Sequence, residues 1–234
     1  MNSLKILSGG AAQGLVASVR QTFTAQTGWG IDGTFGAVGI MAAKLREGAP
    51  ADVMISTEAL IGELQRDGLL TAASAAIGAV ETSIAVRAGD VLPSIGDEHA
   101  LRDALLASDA IFAPDIVSST AGIHVAKVLR QLGIFDSVAG RLKVFPNGAI
   151  AMRELAASNA SRPIGCTQST EIIITEGLKL VGPLPSACAL ATVYAAAVTA
   201  RTRDASVAMT LIDILVGRDQ LAARQQAGFL DTGG

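Results

Sequence analysis

Tyrosine and tryptophan each occur once in 234 residues, and aromatics make up only 3% of the chain. Any core it builds is therefore aliphatic, and no aromatic platform is present on which nucleic-acid bases stack. Two cysteines, Cys166 and Cys188, lie 22 positions apart. Nothing in that spacing demands a disulfide, so they read as two buried free thiols. With two histidines and no cysteine cluster, no metal site is expected, and no cofactor either. The net charge is −3 without a basic run, which argues against nucleic acid as a partner. Long apolar runs are missing as well. The most apolar tract, Ala187 to Ala200, is too short to span a bilayer and is broken by Thr192 and Tyr194. The opening Met1-Asn2-Ser3-Leu4-Lys5-Ile6-Leu7 lacks the basic start and the apolar stretch of about 7 to 15 residues that make an export signal. As written, the chain is expected in the cytoplasm. If a signal peptide has been removed, the periplasm is expected instead, and only then an ABC permease as partner.

What the sequence does contain is apolar material, 50% of all residues. Ala, Val, Leu and Ile in that proportion suit an α/β protein with continuous apolar strands under alanine-rich helices. The residues 113–127 form the most informative stretch. A strand ending at Ala110-Ile111-Phe112 is followed by Ser118-Ser119-Thr120 and Gly122, and then by a helix whose apolar positions Ile123, Ala126, Leu129 and Leu132 recur every three to four residues. The first turn of a helix leaves N–H groups without partners, and three hydroxyls surround them here. Gly122 is expected to let the backbone approach a guest. This is an anion seat built without fixed positive charge. The plainer alternative is a helix cap that happens to be rich in Ser and Thr.

Similar units occur elsewhere. The strand Leu4 to Leu7 runs into Ser8-Gly9-Gly10 before a helix with Leu15, Val16, Val19 and Phe23 on one face. Gly36-Ala37 precede a helix over 40–47, and the strand over 51–57 ends in Ser56-Thr57. Arg162 to Gln168 reads as a short apolar strand that finishes in Cys166, Thr167 and Gln168. Ligands of open α/β sheets bind beyond the carboxyl ends of the strands, where these small-residue tips lie. Apolar segments without turn signals near 81–87 and 187–191 suggest two crossovers, with one lobe of residues 1–82 plus 192–234 and another of residues 88–186.

The order of Ser8-Gly9-Gly10, Arg46 to Val53, Ala121 to Leu129, Ile164 to Gln168 and Leu180 to Pro185 resembles the molybdate-binding-protein-like family of type II periplasmic binding proteins. Within it, the chain is similar to the branch that resembles aconitate isomerase. The resemblance covers nearly the whole chain. It implies an α/β fold of two lobes with two hinge crossovers and an interlobe ligand cleft that closes on an oxyanion or carboxylate. It also implies ligand contacts from Ser8 and Gly9, from Gly36 and Ala37, and from Ser119, Thr120 and Ala121, with Cys166, Thr167 and Gln168 near the last tip; Gly10, Ser56 and Ser118 join them as candidates on their place in the small-residue tips. The family usually places a tyrosine at the last tip. Gln168 stands there instead, and an amide that both donates and accepts suits an organic acid at least as well as a metal oxyanion.

The expected ligand is thus a small di- or tricarboxylate, and the expected reaction is its isomerisation by an allylic proton shift. Such a shift needs a titratable group. His124, Glu171 and Glu81 are the candidates, each with a plainer alternative: a helix-face histidine turned elsewhere, a solvated loop carboxylate, and a salt bridge at the hinge. Arg87 and Arg162 are candidate carboxylate clamps or ordinary surface residues. A non-catalytic solute-binding protein of an ABC transporter for an oxyanion or organic acid, and a cytoplasmic sensor of such a ligand, remain the alternatives to an enzyme.

Overall fold

The computed structural model describes residues 2–232. In chain order it contains β1 (Ser3–Gly9), α1 (Gln13–Thr27), β2 (Gly30–Gly36), α2 (Val38–Arg46), β3 (Val53–Thr57), α3 (Glu58–Arg66) and β4 (Leu70–Arg87). Then come α4 (Glu98–Ala107), β5 (Ala110–Pro114), α5 (Thr120–Gln131), α6 (Phe135–Val138), β6 (Leu142–Phe145) and α7 (Gly148–Ala156). The chain continues with β7 (Pro163–Gln168), α8 (Ser169–Ile173), β8 (Leu178–Pro183), β9 (Ala191–Thr199), α9 (Ala205–Val216) and α10 (Leu221–Gln226). It divides into two compact units, Met1–Val80 with Thr192–Gly234, and Glu81–Ala191. None of the helices among the described residues is long and apolar enough to cross a membrane.

In the first unit the strand order is β2-β1-β3-β9-β4. β1 runs parallel to both its neighbours, and β9 runs antiparallel to β3. Alternation along the strands then sorts side chains to two faces. Leu4, Ile6, Ile55 and Val198 pack with Leu15, Val16, Val19 and Phe23 of α1 and with Leu211 and Leu215 of α9. Leu7, Met54, Ala195 and Ala197 pack on the other side with Met41 and Leu45 of α2 and Ile61 and Leu64 of α3.

β2 was not legible as a strand, since Gly30, Gly33 and Gly36 with Asp32 are poor strand formers. It forms because it is an edge strand that finds seven parallel partners along β1, from Ser3↔Gly30 to Gly9↔Gly36. β4 also begins earlier than its apolar run from Ile77 suggests, at Leu70.

In the second unit the order is β4-β7-β5-β6, with β8 also paired to β4. β5 is parallel to β6 and β7, while β7 and β8 are antiparallel to β4. Ile84, Ile111 and Ala113 face Val125, Val128 and Leu129 of α5 and Leu101 and Leu105 of α4. Each such Val or Leu, fully buried, contributes about 1.5–3 kcal/mol. Ala85, Ala110 and Phe112 face Ala151, Met152 and Leu155 of α7 on the other side. α8, which the sequence pattern did not suggest, is five residues long and follows β7 without a break.

Candidate functional site

In the first unit, register brings the carboxyl ends of three parallel strands together. Gly9 pairs with Gly36, and Ser8 pairs with Ile55, one residue before Ser56. Ser8 is fully buried, and its hydroxyl donates to the Gly9 carbonyl at 2.9 Å. Gly9 has a steric reason. A Cβ there would come within 2.8 Å of the Val38 side chain and 2.9 Å of the Tyr194 ring. Gly10 is buried at the start of a short 3-10 turn that leads into α1. Ala37, extended, precedes α2 and has no side chain able to cap it, so the helix N–H groups beyond it are left to other acceptors. Thr57 does cap α3, accepting from the Leu60 N–H at 3.3 Å. Ser56, between them, is fully buried, and its hydroxyl has no hydrogen-bond partner among the described residues.

The second unit handles its helix starts differently. At α5 the Asp115 carboxylate accepts from the Val117 N–H at 2.9 Å, the Ser118 N–H at 2.6 Å and the Ser118 hydroxyl at 2.8 Å. The Ser118 hydroxyl, its N–H and the Val117 N–H hold the Asp115 carboxyl below the usual carboxylate range. Ser118 therefore spends both its donors on the chain itself. Ser119 stands at the cap position of α5 without a side-chain capping bond. Thr120 and Ala121 open the helix. Gly122 is not an opening for a guest: a Cβ there would run into the Pro114 and Asp115 carbonyls, so the close approach is by the protein's own backbone.

At α7 the seat is filled from within. Asn147 caps it through the Ile150 N–H at 2.9 Å. The Gly148 and Ala149 N–H groups, with that of Gln168, donate to the Glu171 carboxylate, which also takes the Thr167 hydroxyl at 2.6 Å. Glu171 is 5% exposed on α8, so it is neither a loop residue nor solvated. Burial pushes its carboxyl up to about 7, against the four hydrogen bonds that favour the charge. Any side chain at Gly148 would collide with the Glu171 carboxylate and the Thr167 hydroxyl. Gln168 is buried at the β7 tip and precedes α8. Cys166 is buried, and burial, helped by Cys188 nearby, pushes its thiol up to about 12. A thiol so placed is inert.

Among the remaining candidates, the His124 ring is tied down by its Nε2, 2.8 Å from the Cys188 carbonyl. A carbonyl only accepts, so Nε2 carries the proton in that contact. Glu81 is half-buried on β4, one residue before Thr82, which pairs with Gln168. No ion pair or side-chain hydrogen bond engages its carboxylate among the described residues. Arg87 is no clamp: it holds Asp90 at 2.8 and 3.2 Å and the Ser158 carbonyl at 2.6 Å. Arg162 is exposed, next to the start of β7 rather than its tip. No group of three or more His, Cys, Asp and Glu that could hold a metal occurs among the described residues.

The tips thus offer hydroxyls, glycines and helix N–H groups, and the tip residues themselves include no lysine or arginine. The sequence profile described as bacterial extracellular solute-binding protein matches residues 4–230. The chain belongs to that family. As a member of the bacterial extracellular solute-binding proteins it is similar, at 24% identity over 97% of its length and 87% of the relative's, to an aconitate isomerase of Pseudomonas sp.. Among solved structures it resembles the periplasmic molybdate-binding protein of Azotobacter vinelandii, with a TM-score of 0.80 and 20% identity over 98% of this chain and all of that one. The sulfate-binding protein SubI of Mycobacterium tuberculosis H37Rv gives a TM-score of 0.77 and 18% identity over 99% of this chain and 88% of that one. The fold is accordingly the two-lobe α/β fold of type II periplasmic binding proteins.

Asp115, Gly148 and Tyr194 stand at these tips and were outside the expected set. Asp115 had a local signal, an Asp two and three residues before the N–H groups it accepts from. Gly148 and Tyr194 had none, since what they touch is far away in the chain.

Proposed function

We propose that this solute-binding protein takes a small di- or tricarboxylate and interconverts it with an isomer by an allylic proton shift. The observation that carries the binding half is the chemistry of the tips: neutral donors and uncapped helix starts at Ala37–Val38 and Ser119–Ala121, in both units. Each such start supplies partial positive charge and free N–H groups. A molecule with several carboxylates matches a chain with several such seats.

For the proton shift, the three candidate groups separate by what already holds them. His124 is bound to the Cys188 carbonyl, and Glu171 keeps α7 and Gln168 in place. Glu81, half-buried next to the Thr82–Gln168 pair, is the group left for moving a proton. In the reaction it would take a proton from a substrate carbon and return it two carbons away, while the N–H seats stabilise the enolate-like charge on the carboxylate. The similarity to an aconitate isomerase supports aconitate as the first acid to try.

A second reading is favoured by the family itself and by the molybdate- and sulfate-binding structural relatives: binding without turnover, on behalf of an ABC transporter. Incubation with cis- and trans-aconitate in heavy water, followed by proton NMR, separates the two. Interconversion with deuterium uptake supports the enzyme; tight binding with unchanged spectra supports the carrier.

A further inference from the structure

A cavity of about 690 Å³ lies wholly within the second unit, at the end of β7 opposite Gln168. Pro163 opens β7 and lines the cavity, whereas Gln168 closes the strand about 16 Å away at about 3.3 Å per residue. Val86 and Ile164, both buried, form the floor. Ala100, Ala104 and Ala107, on one face of α4, form one wall. The loop from β4 to α4 forms the other, with Pro93 and with Val91, an apolar side chain that is 92% exposed at the rim.

Each wall is tied down. Arg87 grips Asp90 at 2.8 and 3.2 Å and fixes the start of the loop. The Asp97 carboxylate caps α4 through the Ala100 N–H at 2.8 Å and fixes its end. The Asp109 carboxylate accepts from the Ser161 and Arg162 N–H groups at 2.7 and 3.0 Å, which sets the approach to β7. The cavity is therefore formed before any ligand arrives, and its size falls within the range of about 300–1,000 Å³ usual for small-molecule sites.

Three charged side chains line it: Asp90, Asp103 and Arg162. Asp90 is engaged by Arg87, and Asp103 meets Arg102 at 3.5 Å. Arg162 is exposed, and its guanidinium forms no ion pair among the described residues. Asp109, close to it, already has both carboxylate oxygens taken by backbone N–H groups. The charge left unengaged at this apolar cavity is thus positive.

We propose that the cavity is a second ligand site, one for a medium-chain monocarboxylate, with the chain lying between α4 and Val91 and the carboxylate meeting the Arg162 guanidinium at the rim. It stands apart from the carboxylate reading above. The tips offer neutral donors to a compact polycarboxylate, whereas this cavity offers apolar surface to a chain and one cation to its head.

Calorimetry of the whole chain with octanoate, decanoate and 1-octanol tests it. Decanoate is expected to bind about tenfold more tightly than octanoate, from two more buried methylenes, and octanoate more tightly than the uncharged alcohol. Arg162→Gln is expected to weaken decanoate about fivefold, the worth of an exposed ion pair, and to leave 1-octanol unchanged. Ala104→Trp fills the groove and is expected to weaken decanoate about tenfold or more. Val91→Asp, on a side chain too exposed to matter for folding, is expected to weaken it as well with an unchanged melting temperature. Equal affinity for octanoate and 1-octanol, or decanoate binding that neither Ala104→Trp nor Val91→Asp weakens, would overturn the inference. Displacement of decanoate by trans-aconitate would put the chain-bearing acid at the tips and overturn it too. Failure of both monocarboxylates to bind would likewise overturn it and leave the tips untouched; a dimer in sedimentation that Ala104→Trp abolishes would then assign the groove to a second copy of the chain.

Discussion

Thr167 donates its hydroxyl to the Glu171 carboxylate across one turn of chain, at 2.6 Å, and the same carboxylate closes the start of α7. Burial raises the Glu171 carboxyl from 4.5 to about 7. The folded protein then holds this proton more tightly than the unfolded chain does. Its favourable contribution is complete below the unfolded value and is lost as pH rises through 7. A shift of this size corresponds to a change on the order of 3 kcal/mol. Denaturant titrations at pH 5 and pH 8 are expected to show the native protein losing stability relative to Glu171→Gln between the two. An equal difference at both pH values would show that the carboxyl is not raised.

Gly148 and Glu171 are expected to be energetically coupled. Gly148→Ala drives a methyl into the carboxylate and is predicted to cost about 1–3 kcal/mol, the usual range for overpacking. In a Glu171→Ala background the same substitution meets a smaller neighbour, so its cost shrinks. A double-mutant cycle by denaturation measures the coupling, and additive effects would mean that the two residues do not share the space.

The two serines before α5 are predicted to behave oppositely. Ser118→Ala removes a hydroxyl that serves Asp115, so it is expected to lower stability by roughly 1 kcal/mol and to change acid binding little. Ser119→Ala leaves stability nearly unchanged, because the hydroxyl makes no capping bond, and is expected to weaken binding about tenfold or more. Calorimetry and thermal melts on both variants separate the roles; equal effects on both properties would place the seat elsewhere.

The fold was legible because it rests on local pattern. Strand, small-residue tip and amphipathic helix recur along the chain, and the spacing of Leu15, Val16, Val19 and Phe23 states which face of α1 is buried. At α5 the expected face of Ile123, Ala126, Leu129 and Leu132 is only partly the buried one: Ile123 is exposed, and the helix packs through Val125, Val128 and Leu129 because the strand face beneath it lies there. The site was legible only as far as its local chemistry extends. Ser8, Gly36 and Ser119 announce themselves at strand ends. That Ser118 is already engaged and that Gly122 faces its own backbone depends on how the Asp115 turn closes. The burial of Glu171 depends on α7, some twenty residues earlier in the chain. A carboxylate after a polar tip reads as solvated until the helix that it caps is in view.

Neither cysteine is expected to react in the folded protein. Cys166 is buried with its thiol pushed up to about 12, and burial also raises Cys188. A thiol reagent at pH 8 is predicted to label no site natively and both sites after denaturation. Rapid native labelling at one of them would contradict that burial.

If Glu81 moves the proton between carbons of a bound polycarboxylate, its replacement by Gln must abolish turnover and spare binding. The measurement that tests it most directly is proton NMR of trans-aconitate incubated in heavy water with the native protein and with Glu81→Gln. The cis isomer with incorporated deuterium is expected to appear with the native protein, and binding without either is expected for Glu81→Gln. Native protein that binds trans-aconitate and leaves its spectrum unchanged, or turnover that survives in Glu81→Gln, would contradict it.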